Sequence, residues 1–161
     1  ATKADLVLET ALLFWSEAMA QVDSQAHMEL DGDICGADCI LSILQGYANL
    51  YFTHRQMLIF VHEAEAYLNR SGKALLVENK PPAPFEQSAG PLSSAIHKGI
   101  ADGSVRTDID LPSLYYNTYD ALLGLIQKLA IGGRNNTADD EYARIRLEQF
   151  CTMMESFYRK R

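Results

Sequence analysis

The chain has 161 residues, 48% hydrophobic and 22% charged, and a formal net charge of -7 at pH 7. That length suits one domain with a substantial core, and the composition is ordinary for a globular protein, which excludes a disordered or fibrous chain. The acidic balance excludes an unaided grip on a phosphate backbone, because nucleic-acid binding depends on clustered Lys and Arg and the one basic run here is Arg159-Lys160-Arg161.

Thr2-Lys3-Ala4-Asp5 has the pattern of a capping box, in which the Thr hydroxyl and the Asp carboxylate each satisfy a backbone N–H at a helix start. Behind it Leu8, Leu12, Trp15, Met19 and Val22 recur at alternating spacings of four and three, predicting a long helix to about His27 with that face buried. Glu29 to Asp38 breaks the periodicity with two glycines and four acids. A second helix then carries Ile40, Leu44, Tyr47 and Tyr51 on one face. Thr53-His54-Arg55-Gln56 is a second capping-box pattern, so a third helix is expected to start there and run through Met57, Val61, Ala64 and Leu68 toward Gly72.

Lys80-Pro81-Pro82-Ala83-Pro84 cannot be helical throughout, since proline lacks an N–H and restrains its predecessor; it reads as a linker within the domain. Phe85 to Asp102 forms a fourth helix, with Leu92, Ile96 and Ile100 at fourfold spacing and Gly90-Pro91 as a kink or late start. Gly103 suits a left-handed residue closing that helix. Asp110 suits the N-cap of the next, with Pro112 in its first turn. Two more helices, Leu111 to Ile131 and Ala138 to Arg159, flank Gly132-Gly133-Arg134-Asn135-Asn136. No stretch alternates with period two strongly enough to compete. The expected class is all-α, with about six helices.

Motifs for catalysis and metals are missing. Asp31-Gly32-Asp33-Ile34-Cys35 opens like an EF-hand loop, but Cys35 and Ser42 stand at the fifth and twelfth positions, where calcium needs oxygen ligands and a bidentate Glu. Cys35 and Cys39 are one helical turn apart, yet His27, His54 and Cys151 complete no metal-ligand spacing. His62-Glu63 lacks the second His of a zincin, and there is no nucleophile elbow or phosphate-cradling loop. No catalytic residue, metal ligand or cofactor is assigned. Three cysteines, without a signal peptide or a bilayer-length apolar run, predict a cytoplasmic chain with reduced thiols and no membrane partner.

"IHKGIADGSVRTDIDLPSL", followed by "DALLGLIQKLAIGG", resembles the hinge between the penultimate ligand-domain helix and the first dimerisation helix of the tetracycline-repressor (TetR) family of transcriptional regulators. Ile100, Gly103, Val105, Arg106, Asp108 and Asp110 fit the turn, and Gly124 fits the helix. "ATKADLVLETALLFW" is similar to the junction where the family's helix-turn-helix module passes into its connecting helix, with Thr2, Lys3, Asp5 and Leu6 in the matching positions. The resemblance implies a ligand-binding and dimerisation domain that acts as a homodimer. DNA would be reached only through a helix-turn-helix module, which is absent ahead of Ala1.

The resemblance and the helix periodicity together place the pocket for a small, largely apolar effector among Trp15, Met19, Tyr47, Tyr51, Phe60, His97, Tyr116 and Tyr119. Taken singly, these residues are what any core requires. Several interior tyrosines, however, need partners for their hydroxyls, as a polar-studded cavity would provide. The dimer interface is expected on the last two helices, at Leu122, Gly124, Leu125, Leu129, Phe150, Met154 and Phe157, as a four-helix bundle. Two other readings stand beside this one: a stand-alone helical dimerisation or interaction module without a ligand, and a cofactor-free helical enzyme using His97 or His62 as a base.

Overall fold

Six helices and no strand make up the regular structure of the described residues, which in the computed structural model are 2–30, 32–73, 85, 90–133 and 137–161, excluding the side chains of 25, 27–29 and 137. They are α1 (Lys3–Leu30), α2 (Gly36–Thr53), α3 (Arg55–Arg70), α4 (Pro91–Asp102), α5 (Leu111–Gly132) and α6 (Thr137–Tyr158). The expected linker at Lys80–Pro84, the Arg134-Asn135-Asn136 turn, and 86–89 of the expected fourth helix lie outside the described residues.

The first capping box forms as the sequence predicts: Thr2 N–H donates to Asp5 Oδ2 at 2.6 Å and Asp5 N–H to Thr2 Oγ1 at 3.2 Å. At its other end α1 runs beyond His27. There Lys98 of α4 donates to the carbonyls of Leu30 and Gly32 at 2.8 and 2.9 Å, satisfying acceptors that have no intrahelical partner.

The second capping box does not form. Thr53 belongs to the last turn of α2, where its hydroxyl reaches back to the Asn49 carbonyl at 3.2 Å and lies 2.7 Å from His54 Nδ1. A threonine at a helix end can bond the preceding turn as readily as cap the next helix, and here the first option prevails. His54 alone separates α2 from α3.

Gly72 closes α3 with φ 69°, and the Lys73 N–H returns to the Leu68 carbonyl at 2.9 Å, a left-handed C-terminal cap. The late start of α4 is the one that occurs, with Pro91 in its first turn, where the missing N–H costs nothing. Gly103 adopts φ 79°, and Asp110 caps α5 by accepting from the Ser113 N–H at 3.1 Å.

Helix α2 lies at the centre, packed against each of the other five. Its buried residues, Gly36, Ala37, Cys39, Ile40, Ile43, Leu44, Tyr47, Ala48, Leu50 and Tyr51, accordingly occupy more than one face. It approaches α4 closely at its start. A β-carbon on Gly36 would fall 2.8 Å from the Ala95 carbonyl oxygen and against the Gly99 backbone.

The turn after α4 ties three helices together. Val105 N–H donates to the Gly99 carbonyl, Arg106 N–H to the Tyr158 carbonyl, and Lys160 N–H to the Ser104 carbonyl, at 2.8–2.9 Å. Arg159, just past α6, adds ion pairs to Glu155 of α6 and to Asp38 of α2.

Candidate functional site

Within the core, the hydroxyls of Tyr47 on α2 and Tyr119 on α5 lie 2.9 Å apart, both buried, and the Tyr47 hydroxyl also points at Met19 Sδ on α1 at 3.5 Å. Their rings meet edge to face at 5.2 Å. Burial pushes both hydroxyls up from the ordinary tyrosine value, so both stay neutral and act as donor and acceptor rather than as bases.

From this pair a file of rings leads toward the surface. Tyr115 lies edge to face with Tyr119 at 5.0 Å, Phe85 follows at 5.2 Å, and the exposed His97 stacks on Phe85 at 5.2 Å and 22°. Tyr116 joins the outer end, its hydroxyl accepting from the Phe85 N–H at 3.2 Å.

Of the eight expected pocket residues, Met19, Tyr47 and Tyr119 are therefore in direct contact, and His97 and Tyr116 reach them through Tyr115 and Phe85. Trp15 is fully buried beside Phe14, and its indole N–H has no acceptor among the described residues. A buried donor left in that state costs about 1–3 kcal/mol. Phe60 is half-buried against the core.

Tyr51 turns elsewhere. Arg55 lies over its ring at 4.2 Å and donates both to its hydroxyl and to Asp140 of α6, so this tyrosine serves the junction of α2, α3 and α6. Its fourfold spacing from Tyr47 gave the shared face but not the pull of an arginine four residues further on.

Two members of the file, Tyr115 and Phe85, were not among the expected pocket residues. Tyr115 was recoverable, standing four residues before Tyr119 and hence on the same face. Phe85 was not, because the proline-rich segment before it has no periodicity to read.

The described surface grooves lie away from these rings. One of about 680 Å³ is lined by Arg106, Met153, Phe157, Lys160 and Arg161 among others, and one of about 470 Å³ by Phe52 to Met57 with Asp140.

The expected interface residues separate into three groups. Leu122, Leu129 and Met154 are buried in the chain's own core, while Leu125 and Phe150 are half-buried. Gly124 faces outward, where a β-carbon would meet nothing within 4 Å, and Phe157 is 52% exposed. Tyr142, Ile145 and Met153 are comparably exposed on α6, as is Ile131 on α5.

No protein-family model, curated protein or solved structure matches the chain.

Among the described residues no group of three or more His, Cys, Asp or Glu is placed to hold a metal ion, Asp31 and the His27 side chain falling outside them. Cys35, Cys39 and Cys151 are not joined in disulfides, and burial pushes Cys151 up to about 12. Nor is any helix of the described residues long and apolar enough to cross a membrane.

Proposed function

We propose that this chain is the effector-sensing and dimerisation domain of a TetR-like transcriptional regulator, reaching DNA through a helix-turn-helix module attached ahead of α1. The observation that carries the reading is the polar-studded aromatic interior: the neutral Tyr47–Tyr119 hydroxyl pair beside Met19, together with the Trp15 N–H that lacks an acceptor among the described residues. An apolar interior with a few neutral anchors suits a small, largely apolar effector carrying a hydrogen-bond acceptor. Effector binding regulates only if it favours one placement of α1 over another, and a difference of about 2.7 kcal/mol shifts that equilibrium a hundredfold. The outward apolar residues of α6 support the homodimer. The reading assigns no catalysis, cofactor or metal, and places the chain in the cytoplasm.

The test joins the chain to a helix-turn-helix module and measures binding to that module's two-half-site operator. The fusion is expected to bind the paired site and the isolated 161-residue chain to bind no DNA. Trp15 is the single tryptophan, so its emission reports on the interior during a screen of apolar compounds. A compound that shifts the emission should also change operator affinity.

A second reading, a stand-alone dimerisation module without a ligand, is favoured by the complete burial of Trp15, Tyr47, Tyr51 and Tyr115. It prevails if no compound moves the Trp15 emission and the fusion binds its operator constitutively.

A further inference from the structure

We infer that the ring of Phe85 holds the place of the effector's own ring. The effector is accordingly a planar aromatic molecule bearing a hydrogen-bond acceptor, and it binds by displacing Phe85 from between His97 and Tyr115. This rests on the sensing half of the proposed function and adds the chemical class of the effector and the side chain it replaces.

The described grooves lie away from the ring file, and Tyr47, Tyr115 and Tyr119 fill its inner end, all buried. An effector reaching the file must therefore take the place of a side chain already in it. The tyrosines are carried by α2 and α5, whereas Phe85 lies in a turn outside the helices and borders the exposed His97. Of the rings in the file, Phe85 is the one with an outward route that crosses no other core side chain but His97.

The slot is built for a flat ring. The His97 imidazole stacks on Phe85 at 5.2 Å and 22°, and Tyr115 closes the other side at 5.2 Å and 57°. Any planar aromatic ring recovers the contacts that Phe85 gives up, so the exchange leaves no void. For the same reason a bare hydrocarbon gains little over Phe85 itself.

The surplus comes from Tyr116. Its half-buried hydroxyl accepts from the Phe85 backbone N–H at 3.2 Å, which leaves its own O–H proton free to donate toward the slot. The Phe85 ring can swing out about its own Cα–Cβ bond while this backbone contact stays. A ring with a carbonyl or similar acceptor at its edge would then receive the Tyr116 proton, a bond that the phenylalanine ring cannot make.

Fluorine NMR of the full chain labelled with para-fluorophenylalanine reads the displacement directly. Six phenylalanines give six signals, and Phe85→Leu identifies that of Phe85 by its loss. Acetophenone is the probe, and α-methylstyrene has the same shape without the carbonyl. Acetophenone is expected to move the Phe85 signal saturably to a solvent-exposed position, and α-methylstyrene to bind about fivefold or more weakly, the worth of one hydrogen bond. Tyr116→Phe should abolish that preference. His97→Ala, which alters an exposed side chain, should weaken both probes by about threefold or more through the lost stack. Phe85→Ala should bind acetophenone about tenfold or more tightly, because the competing ring is gone.

A Phe85 signal that stays fixed up to the solubility limit of acetophenone overturns the inference, even if Phe85→Ala binds the probe in the hole left behind. Equal binding of the two probes to the wild-type chain overturns the role of Tyr116 and the acceptor with it. A compound that shifts the Trp15 emission and operator affinity while the Phe85 signal stays fixed overturns this inference and leaves the sensing reading standing. Displacement of Phe85 with no change in the operator affinity of the fusion upholds the slot and counts against the sensing reading.

Discussion

The Asp102 carboxylate caps a helix that begins 66 residues earlier: its Oδ2 accepts from the Gly36 N–H at 2.7 Å, while Oδ1 accepts from the Ser104 N–H at 2.9 Å. The Ser104 hydroxyl adds a bond from the Ala37 N–H at 3.1 Å. Cys35, the residue before α2, provides no side-chain cap, so the turn after α4 supplies what the local sequence lacks. This explains why the turn is so particular in composition. Asp102 and Ser104 cap α2, Gly103 reverses the chain, Val105 bonds back to α4, and Ser104 and Arg106 secure the end of α6.

Asp102→Ala should cost about 0.5–2 kcal/mol, the usual range for losing an N-terminal cap. Hydrogen bonds from Ser104 and then Gly36 hold the Asp102 carboxyl below its ordinary value of 3.8. A group with a lowered folded-state value contributes stability above its unfolded value and loses it as the pH falls through the folded one. The gap between wild type and variant in urea unfolding should therefore be full at neutral pH and narrow progressively below pH 3.8. A gap that stayed constant into strong acid would show that the carboxylate charge is irrelevant.

Two glycines in helices should respond oppositely to alanine. Gly36→Ala drives a methyl into the α4 backbone, which has no flexible end to move aside, and should destabilise by about 1–3 kcal/mol. Gly124→Ala meets nothing in the chain itself and should stabilise by about 0.5–1 kcal/mol through reduced backbone entropy. Thermal unfolding of both variants under one condition reads the difference, and equal shifts would contradict the packing described.

The buried hydroxyl pair invites a double-mutant cycle. Tyr47→Phe and Tyr119→Phe should each cost about 1–3 kcal/mol by leaving the other hydroxyl buried with a partner missing. The double variant should cost less than the two added together, because both polar groups are then gone. Strict additivity in chemical denaturation would mean that the hydroxyls do not interact.

The thiols should react in order of access. Cys35 is half-buried, whereas Cys151 is fully buried with its thiol pushed up to about 12 by burial. Iodoacetamide at mildly alkaline pH should label Cys35 first and leave Cys151 unmodified until the chain unfolds, as followed by mass spectrometry. Rapid native labelling of Cys151 would mean that α6 opens away from α2.

The all-helical class, the start of α1 at Thr2, the left-handed stop at Gly103 and the N-cap at Asp110 were all legible in the sequence. Each is written within three or four neighbouring residues, and the helical period of 3.6 repeats often enough to be read without knowing what the face meets. The same locality misled at Thr53, where a capping pattern and a back-bond to Asn49 compete for one hydroxyl and only the junction of α2 with α3 settles which forms.

Tertiary structure alone decided what each face meets. It turned Leu122 and Leu129 inward and left Gly124 outward on the same helix, it drew Tyr51 to Arg55 and Asp140 instead of to Tyr47, and it brought Asp102 to Gly36. Such pairings depend on how helices cross and on contacts between residues tens of positions apart. A face's hydrophobicity says that it must be buried, but its partner is selected only when all six helices compete for the same interior.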